Sequence, residues 1–292
     1  MCAAGIVRLG WAGVNGAALD APCRPAYHGR EMRIAIIADV HANLVALEAV
    51  LRHAEAQGAT DDLWCLGDIV GYGPQPAECV SRLREAGATT VAGNHDRAGT
   101  GMMDTEEFNP DAAMAALWTR AQLPKDDAAF LDALPEVAYV SSGQAPSLRA
   151  GASEADFTLV HGTLREPIWE YLHSHEAALA QLERQETPFS LVGHTHVPML
   201  VVQGQEFPHG CEIHYLEDGT RFRLSRERKL VINPGAVGQP RDGDPRAAYA
   251  VYDTESETVT LHRLEYDIAA TQKLMEAADL PRRLVQRLAV GR

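Results

Sequence analysis

The stretch Ile34-Ala35-Ile36-Ile37-Ala38-Asp39-Val40-His41 ends an apolar run in a carboxylate and an imidazole two positions apart, and similar endings recur down the chain. Leu63 to Gly67 runs into Asp68, Thr89 to Gly93 into Asn94-His95-Asp96, Phe157 to Val160 into His161, and Phe189 to Gly193 into His194-Thr195-His196. Short apolar runs bounded by glycine or polar residues read as buried strands. In α/β sheets, ligands gather beyond the carboxyl ends of strands. The clusters are therefore expected to converge on one spot. Their carboxylates, amide oxygen and imidazoles exceed what one tetrahedral zinc takes and suit two divalent cations side by side. The expectation is a binuclear metallohydrolase acting on phosphate esters.

Working outward, Arg33 to Ala38 reads as a strand. Leu44 to Gln57 reads as an amphipathic helix with Leu44, Leu47, Val50 and Leu51 on one face and Gly58 at its end. A strand over Asp61 to Leu66, a helix over Ala77 to Ala86 and a strand over Thr89 to Ala92 continue the alternation, which predicts parallel pairing with helices on the sheet faces. Residues 105–134 carry two helical patterns broken at Pro124, expected to form a helical cap beside the site. The second half is richer in strands: Val137 to Val140, Phe157 to Val160, Phe189 to Val192, Met199 to Gln203, Leu230 to Asn233, Ala247 to Tyr252 and Thr258 to Leu264. A helix is expected over Ser174 to Gln185, and a hairpin through Glu212 to Leu224 turning at Asp218-Gly219. The fold class expected is α/β, with two mixed β-sheets packed as a sandwich flanked by helices. Residues 267–292 read as two C-terminal helices split by Pro281 and docked on their own domain.

The chain has 292 residues, 46% hydrophobic and 23% charged, with no low-complexity tract. Its net charge of −14 argues against an extended nucleic-acid surface. A small phosphorylated substrate stays compatible, because two divalent cations would outweigh the site's carboxylates locally. The five cysteines form no C-x-x-C pair, which favours a reducing, cytoplasmic setting. No apolar stretch is long enough to span a membrane, and oligomeric state is not readable. Residues 1–31 are Gly- and Ala-rich without periodicity and lack the apolar core of a secretory signal; a disordered extension ahead of Met32 is expected.

The order D-x-H (Asp39, His41), G-D-x-x-G (Gly67, Asp68, Gly71), G-N-H-D (Gly93 to Asp96), His161 and G-H-T-H (Gly193 to His196) resembles the calcineurin-like metallophosphoesterases over roughly residues 33–253. The following Asn233-Pro234-Gly235-Ala236-Val237-Gly238 is similar to their small bacterial and archaeal branch. The resemblance implies a four-layer metallophosphoesterase domain over residues 32–266. It also implies Asp39, His41, Asp68 and His196 around one metal and Asp68, Asn94, His161 and His194 around the other, with Asp68 bridging. His95 would be a non-ligand acid acting near neutral pH, oriented by Asp96, and a hydroxide between the metals would be the nucleophile.

Two divalent ions are thus expected, Mn²⁺ or Fe²⁺ by the mixed oxygen and nitrogen donors, with Zn²⁺, Co²⁺ or Ni²⁺ open. Arg241, and with less support Arg97, are candidate phosphate contacts, each with a surface ion pair as its bland alternative. Tyr72 and Trp118 could stack on a base or aryl group or simply pack in the core. His173 and His175 lie at an expected helix start with no other ligand type nearby, His209 and His214 fall in the hairpin region, and His28, His53 and His262 have no companions; all seven stay outside the site. Phosphodiesterase or phosphatase action on small substrates is the first reading. Protein phosphatase activity and a non-catalytic scaffold are the alternatives.

Overall fold

The computed structural model describes residues 31–141 and 155–292. The stretch ahead of Glu31, including Cys2, Cys23 and His28, lies outside the described residues. In chain order the strands are β1 (Arg33–Ile37), β2 (Asp62–Cys65), β3 (Thr89–Thr90), β4 (Val137–Val140), β5 (Phe157–Val160), β6 (Phe189–Leu191), β7 (Met199–Gln203), β8 (Cys211–Tyr215), β9 (Arg221–Arg223), β10 (Leu230–Asn233), β11 (Ala247–Asp253) and β12 (Thr258–Leu264). The helices are α1 (Leu44–Ala56), α2 (Pro76–Glu85), α3 (Asn94–Thr100), α4 (Pro110–Gln122), α5 (Lys125–Asp132), α6 (His175–Arg184), α7 (Ile268–Ala277) and α8 (Arg282–Arg287).

The strands form two six-stranded mixed sheets, ordered β3-β2-β1-β11-β12-β9 and β4-β5-β6-β10-β7-β8. In β1, Ile34 and Ile36 enter the core between the sheets while Ala35 and Ile37 pack outward under the helices. That is the period-2 geometry of a strand buried on both faces. β10 does the same, with Leu230 and Ile232 inward and Val231 outward. Aromatic rings lock the layers: Trp64 of one sheet lies 5.2 Å from Phe157 of the other, and Phe157 lies 5.2 Å from Tyr252. Truncating a buried aromatic in such a core costs about 3–5 kcal/mol.

One expectation fails. The residues flanking Asp218-Gly219 form no hairpin, because β8 pairs with β7 in the second sheet and β9 with β12 in the first. Leu216, Phe222 and Leu224 all enter the inter-sheet core, so the chain turns across the sandwich edge there. The helical pattern after residue 105 becomes α4 and α5, split at Pro124, with α4 capped by Asn109. Ala112 and Ala115 of α4 share an apolar cluster with Tyr72 and with Met275, Leu284 and Val285 of the C-terminal helices. Among the described residues no helix is long and apolar enough to cross a membrane.

Candidate metal centre

β1, β2 and β3 of one sheet, and β5 and β6 of the other, run into the ligand loops at their carboxyl ends. Main-chain bonds stitch these loops together: Asp39 N–H to Gly67 O (3.1 Å), His41 N–H to Asp68 O (2.9 Å) and Gly193 N–H to His161 O (2.9 Å). The Asp39 carboxylate crosses between the sheets to accept the His194 N–H at 3.1 Å. Asp39, His41, Asp68, His194 and His196 all have positive φ, between 48° and 64°. Non-glycine residues seldom adopt that region, and it concentrates at functional sites. Here it turns D-x-H and H-x-H sharply off their strands so that both flanking side chains face inward.

The donor atoms meet. Asp39, His41, Asp68 and His196 form one group and Asp68, His161 and His194 another, the atoms of each within 4.8 Å of one another and all buried. Asn94 Oδ1 joins the second group, 3.3 Å from His161 Nε2. Asp68 belongs to both. The imidazoles are oriented from outside: Nδ1 of His41 donates to Val70 O (3.1 Å), Nδ1 of His161 to Leu66 O (2.8 Å), Nε2 of His194 to Trp169 O (2.9 Å), and Nδ1 of His196 to Gln239 O. A carbonyl only accepts, so each of these nitrogens carries the proton, and the opposite nitrogen faces inward, as a lone pair wherever the ring is neutral.

Electrostatics agree with cation binding. Burial, reinforced by neighbouring positive charge, pushes His41, His194 and His196 well below the ordinary histidine range, which keeps them neutral. Burial alone would raise Asp68, yet the charge of His161, itself raised to about 9 against burial by Asp68, holds it well below the usual carboxylate range. Asp68 Oδ1 accepts the His95 N–H at 2.9 Å. Its Oδ2 is buried with no hydrogen-bond partner, 3.6 Å from His41 Nε2 and 3.3 Å from His161 Nε2. An unsatisfied buried carboxylate oxygen ringed by inward lone pairs is the donor arrangement of a cation site.

A sequence profile of the calcineurin-like phosphoesterase superfamily domain matches residues 32–257. The chain belongs to this superfamily. An uncharacterized protein of Methanocaldococcus jannaschii is 34% identical over 265 residues, 89% of this chain and 98% of its own length. The crystal structure of a metallophosphoesterase from Sphaerobacter thermophilus superposes with a TM-score of 0.77 at 45% identity, covering 90% of this chain and 100% of the other. A hypothetical protein from Pyrococcus horikoshii shares the fold alone, at TM-score 0.69 and 18% identity over 89% of this chain and 99% of the other. A symmetrical bis(5'-nucleosyl)-tetraphosphatase of Thioalkalivibrio sulfidiphilus matches only 22% of this chain and 25% of its own length, at 37% identity. The chain is accordingly a phosphoric ester hydrolase.

Other expectations for this phosphoesterase need correction. Arg97 is turned away from the centre, donating to the carbonyls of Leu131, Asp132 and Leu134 at the end of α5. Asp96 does not orient the His95 ring: its carboxylate accepts main-chain N–H groups of Asp68, Ile69, Val70 and Gly93, fixing the loop that carries Asp68. His95 itself lies beside the centre, its ring 5.0 Å from His41 and 4.2 Å from Tyr72. Burial lowers it to about 4, with Asp68 opposing and Arg241 assisting, so it is neutral at pH 7. Tyr72 lines the site and Trp118 packs against the apolar cluster of the terminal helices. His53 and His262 do have companions, each other and Tyr249.

The sequence reading missed the segment after His161, where Trp169 supplies a carbonyl to His194 and Tyr171 stacks on the His194 ring at 3.8 Å. It also missed Phe108, 5.3 Å from Trp169 and 5.0 Å from His95. Aromatic residues in loops without periodicity were the only available signal.

Proposed function

We propose that this phosphoesterase hydrolyses small phosphate mono- or diesters using two divalent cations, Mn²⁺ or Fe²⁺ by preference. Asp39, His41, Asp68 and His196 hold one; Asp68, Asn94, His161 and His194 hold the other. The observation that carries this reading is the bare Oδ2 of Asp68, shared between the two donor groups. Cations held by these residues would supply the charge that polarises phosphoryl oxygens and acidifies a water. His95, seated against His41 and Tyr72, offers a neutral imidazole N–H to the phosphoryl or departing oxygen. Arg241 sits beside the centre, its main-chain N–H on the His196 carbonyl at 3.3 Å and its guanidinium on Tyr72 and Gln239, placed to hold a substrate phosphate. The net charge of −14 and the partial match to a nucleosyl-tetraphosphatase both favour small phosphorylated substrates.

The test is hydrolysis of bis(p-nitrophenyl) phosphate and a phosphomonoester with and without Mn²⁺, beside metal analysis. Turnover is expected only with metal. Asp68→Ala or Asn94→Ala should abolish it together with metal loading, whereas His95→Ala should lower turnover about a hundredfold with metal retained. Turnover that ignores chelation, or that survives Asp68→Ala, would overturn the reading.

A further inference from the structure

Arg241 and Arg287 approach the same ring: their Cζ atoms lie 5.7 Å and 5.5 Å from the centroid of Tyr72, which itself packs 4.7 Å from His41. Both guanidiniums are half-buried. Arg241 gives Nη2 to Tyr72 Oη and Gln239 Oε1 at 3.3 Å each, and its Nε is buried without a partner. Arg287 gives Nε to the Arg292 carbonyl and has no partner for either Nη among the described residues.

Neither arginine is paired with an Asp or Glu side chain among the described residues. The nearby acids are engaged elsewhere, Asp242 with Arg263 and Asp244 with Arg246. In a chain with 40 acidic and 26 basic residues, two adjacent guanidiniums without an acidic side-chain partner leave N–H groups open to an anion. Their mutual repulsion and partial desolvation call for an anion, and guanidinium N–H pairs match phosphate oxygens. The two are not equivalent in depth. Arg241 bonds the chain at a ligand, its main-chain N–H on the His196 carbonyl at 3.3 Å, whereas Arg287 reaches the site across the Tyr72 ring. Arg287 is thus one contact further from the ligands than Arg241.

We propose that Arg241 and Arg287 form a subsite for a second phosphate next to the reacting one, so that the enzyme prefers substrates with phosphates in series over isolated esters. This rests on phosphate ester hydrolysis at the metal centre. In such a substrate the attacking water forms a new P–O bond, the bridging P–O bond breaks with its electron pair leaving on one phosphate, and the water's protons pass to solvent or product. The C-terminal helix α8 thereby sets specificity without touching a metal ligand.

Two measurements on the full chain decide it. Specificity is read as the ratio of kcat/KM for diadenosine tetraphosphate to that for bis(p-nitrophenyl) phosphate. Arg287→Ala should lower that ratio about tenfold, the scale of one charge-assisted contact; Arg287→Lys should recover part of it, and Arg282→Ala should leave it unchanged. Calorimetry of inorganic pyrophosphate binding to metal-free protein should show about a tenfold weaker affinity in Arg287→Ala. A ratio that holds constant, or activities on both substrates that fall in parallel with thermal stability, would make the arginines a purely structural clamp on Tyr72. If no phosphoester is hydrolysed with any metal, the hydrolytic reading fails while the pyrophosphate arm still decides the subsite.

Discussion

His161 Nε2 and His194 Nδ1 stand 3.1 Å apart, and each ring has already given its other nitrogen to a main-chain carbonyl, Leu66 for one and Trp169 for the other. His41 Nε2 and His196 Nε2 repeat the arrangement at 3.0 Å. His41 and His196, kept neutral by burial, turn lone pair against lone pair, which a divalent cation converts from repulsion to coordination; His161, raised against burial to about 9 by the Asp68 charge, gives up its inner proton to the cation. Metal binding should therefore stabilise the fold. At a free metal concentration a hundred times its dissociation constant the gain is about 2.7 kcal/mol, a rise of several degrees in Tm for a chain of this size. Differential scanning fluorimetry with EDTA against Mn²⁺ checks it, and Asp68→Ala should erase most of the shift. No shift with Mn²⁺, Fe²⁺, Zn²⁺, Co²⁺ or Ni²⁺ would contradict the site.

Asp96 is expected to matter for stability before chemistry. Its carboxylate satisfies main-chain N–H groups at residues 68, 69, 70 and 93, all within 3.1 Å and buried. Asp96→Ala leaves them without an acceptor, and unsatisfied buried donors cost about 1–3 kcal/mol each before relaxation. Urea unfolding should show a loss of at least about 3 kcal/mol. A loss below about 1 kcal/mol would return Asp96 to the catalytic role its sequence position invites.

Strands were legible in the sequence because each one that reaches the site is an apolar run cut off by a polar donor, and the sandwich follows from residues such as Ile34 and Ile36 alternating with Ala35 and Ile37. The short α3 was not legible: it starts on Asn94 and His95, stops at Gly101 and carries no apolar stripe, so its existence depends on the Asp96 carboxylate accepting the Gly93 N–H at 3.0 Å. Sequence neighbourhood also misplaced Arg97, since a residue one position from Asp96 can point to the opposite side of a helix turn. The apparent hairpin at Asp218-Gly219 carried a genuine turn signal, but turn chemistry does not say which sheet receives the next strand. Arg287 was hidden because an amphipathic terminal helix advertises its apolar stripe, Leu284, Val285 and Leu288, and not its distance from residue 72.

Gly71 separates backbone freedom from ligand identity. Its φ is +86°, and a Cβ there would lie 2.4 Å from His95 Nδ1. Gly71→Ala therefore strains the loop and displaces the His95 ring while leaving every proposed ligand in place. Turnover on a poor leaving group should fall at least about tenfold, with metal content close to wild type. Equal turnover in the variant and the wild type would remove the His95 position from the mechanism.

A pH dependence of stability should arise away from the metal centre. His262 on β12 stacks on Tyr249 at 5.2 Å and lies 5.1 Å from the ring of His53, whose Nδ1 is 2.7 Å from the Tyr249 hydroxyl. Burial, then the charge of His53, lowers His262 to about 4, against a weaker pull from Asp218. In the unfolded chain a histidine titrates near about 6.5. Between these two values the unfolded chain holds a proton that the folded one refuses, so stability falls as pH falls. The contribution is fully present above about pH 6.5 and is lost progressively as the pH drops toward the folded value. Because the ring is partly exposed, solvent screening reduces its size to on the order of 1 kcal/mol. His262→Gln should flatten this part of the profile, measured by urea unfolding at pH 7 and pH 5 at constant ionic strength. If wild type and variant lose the same stability between those two pH values, the acid sensitivity belongs to other groups and the His53–Tyr249–His262 cluster is only packing.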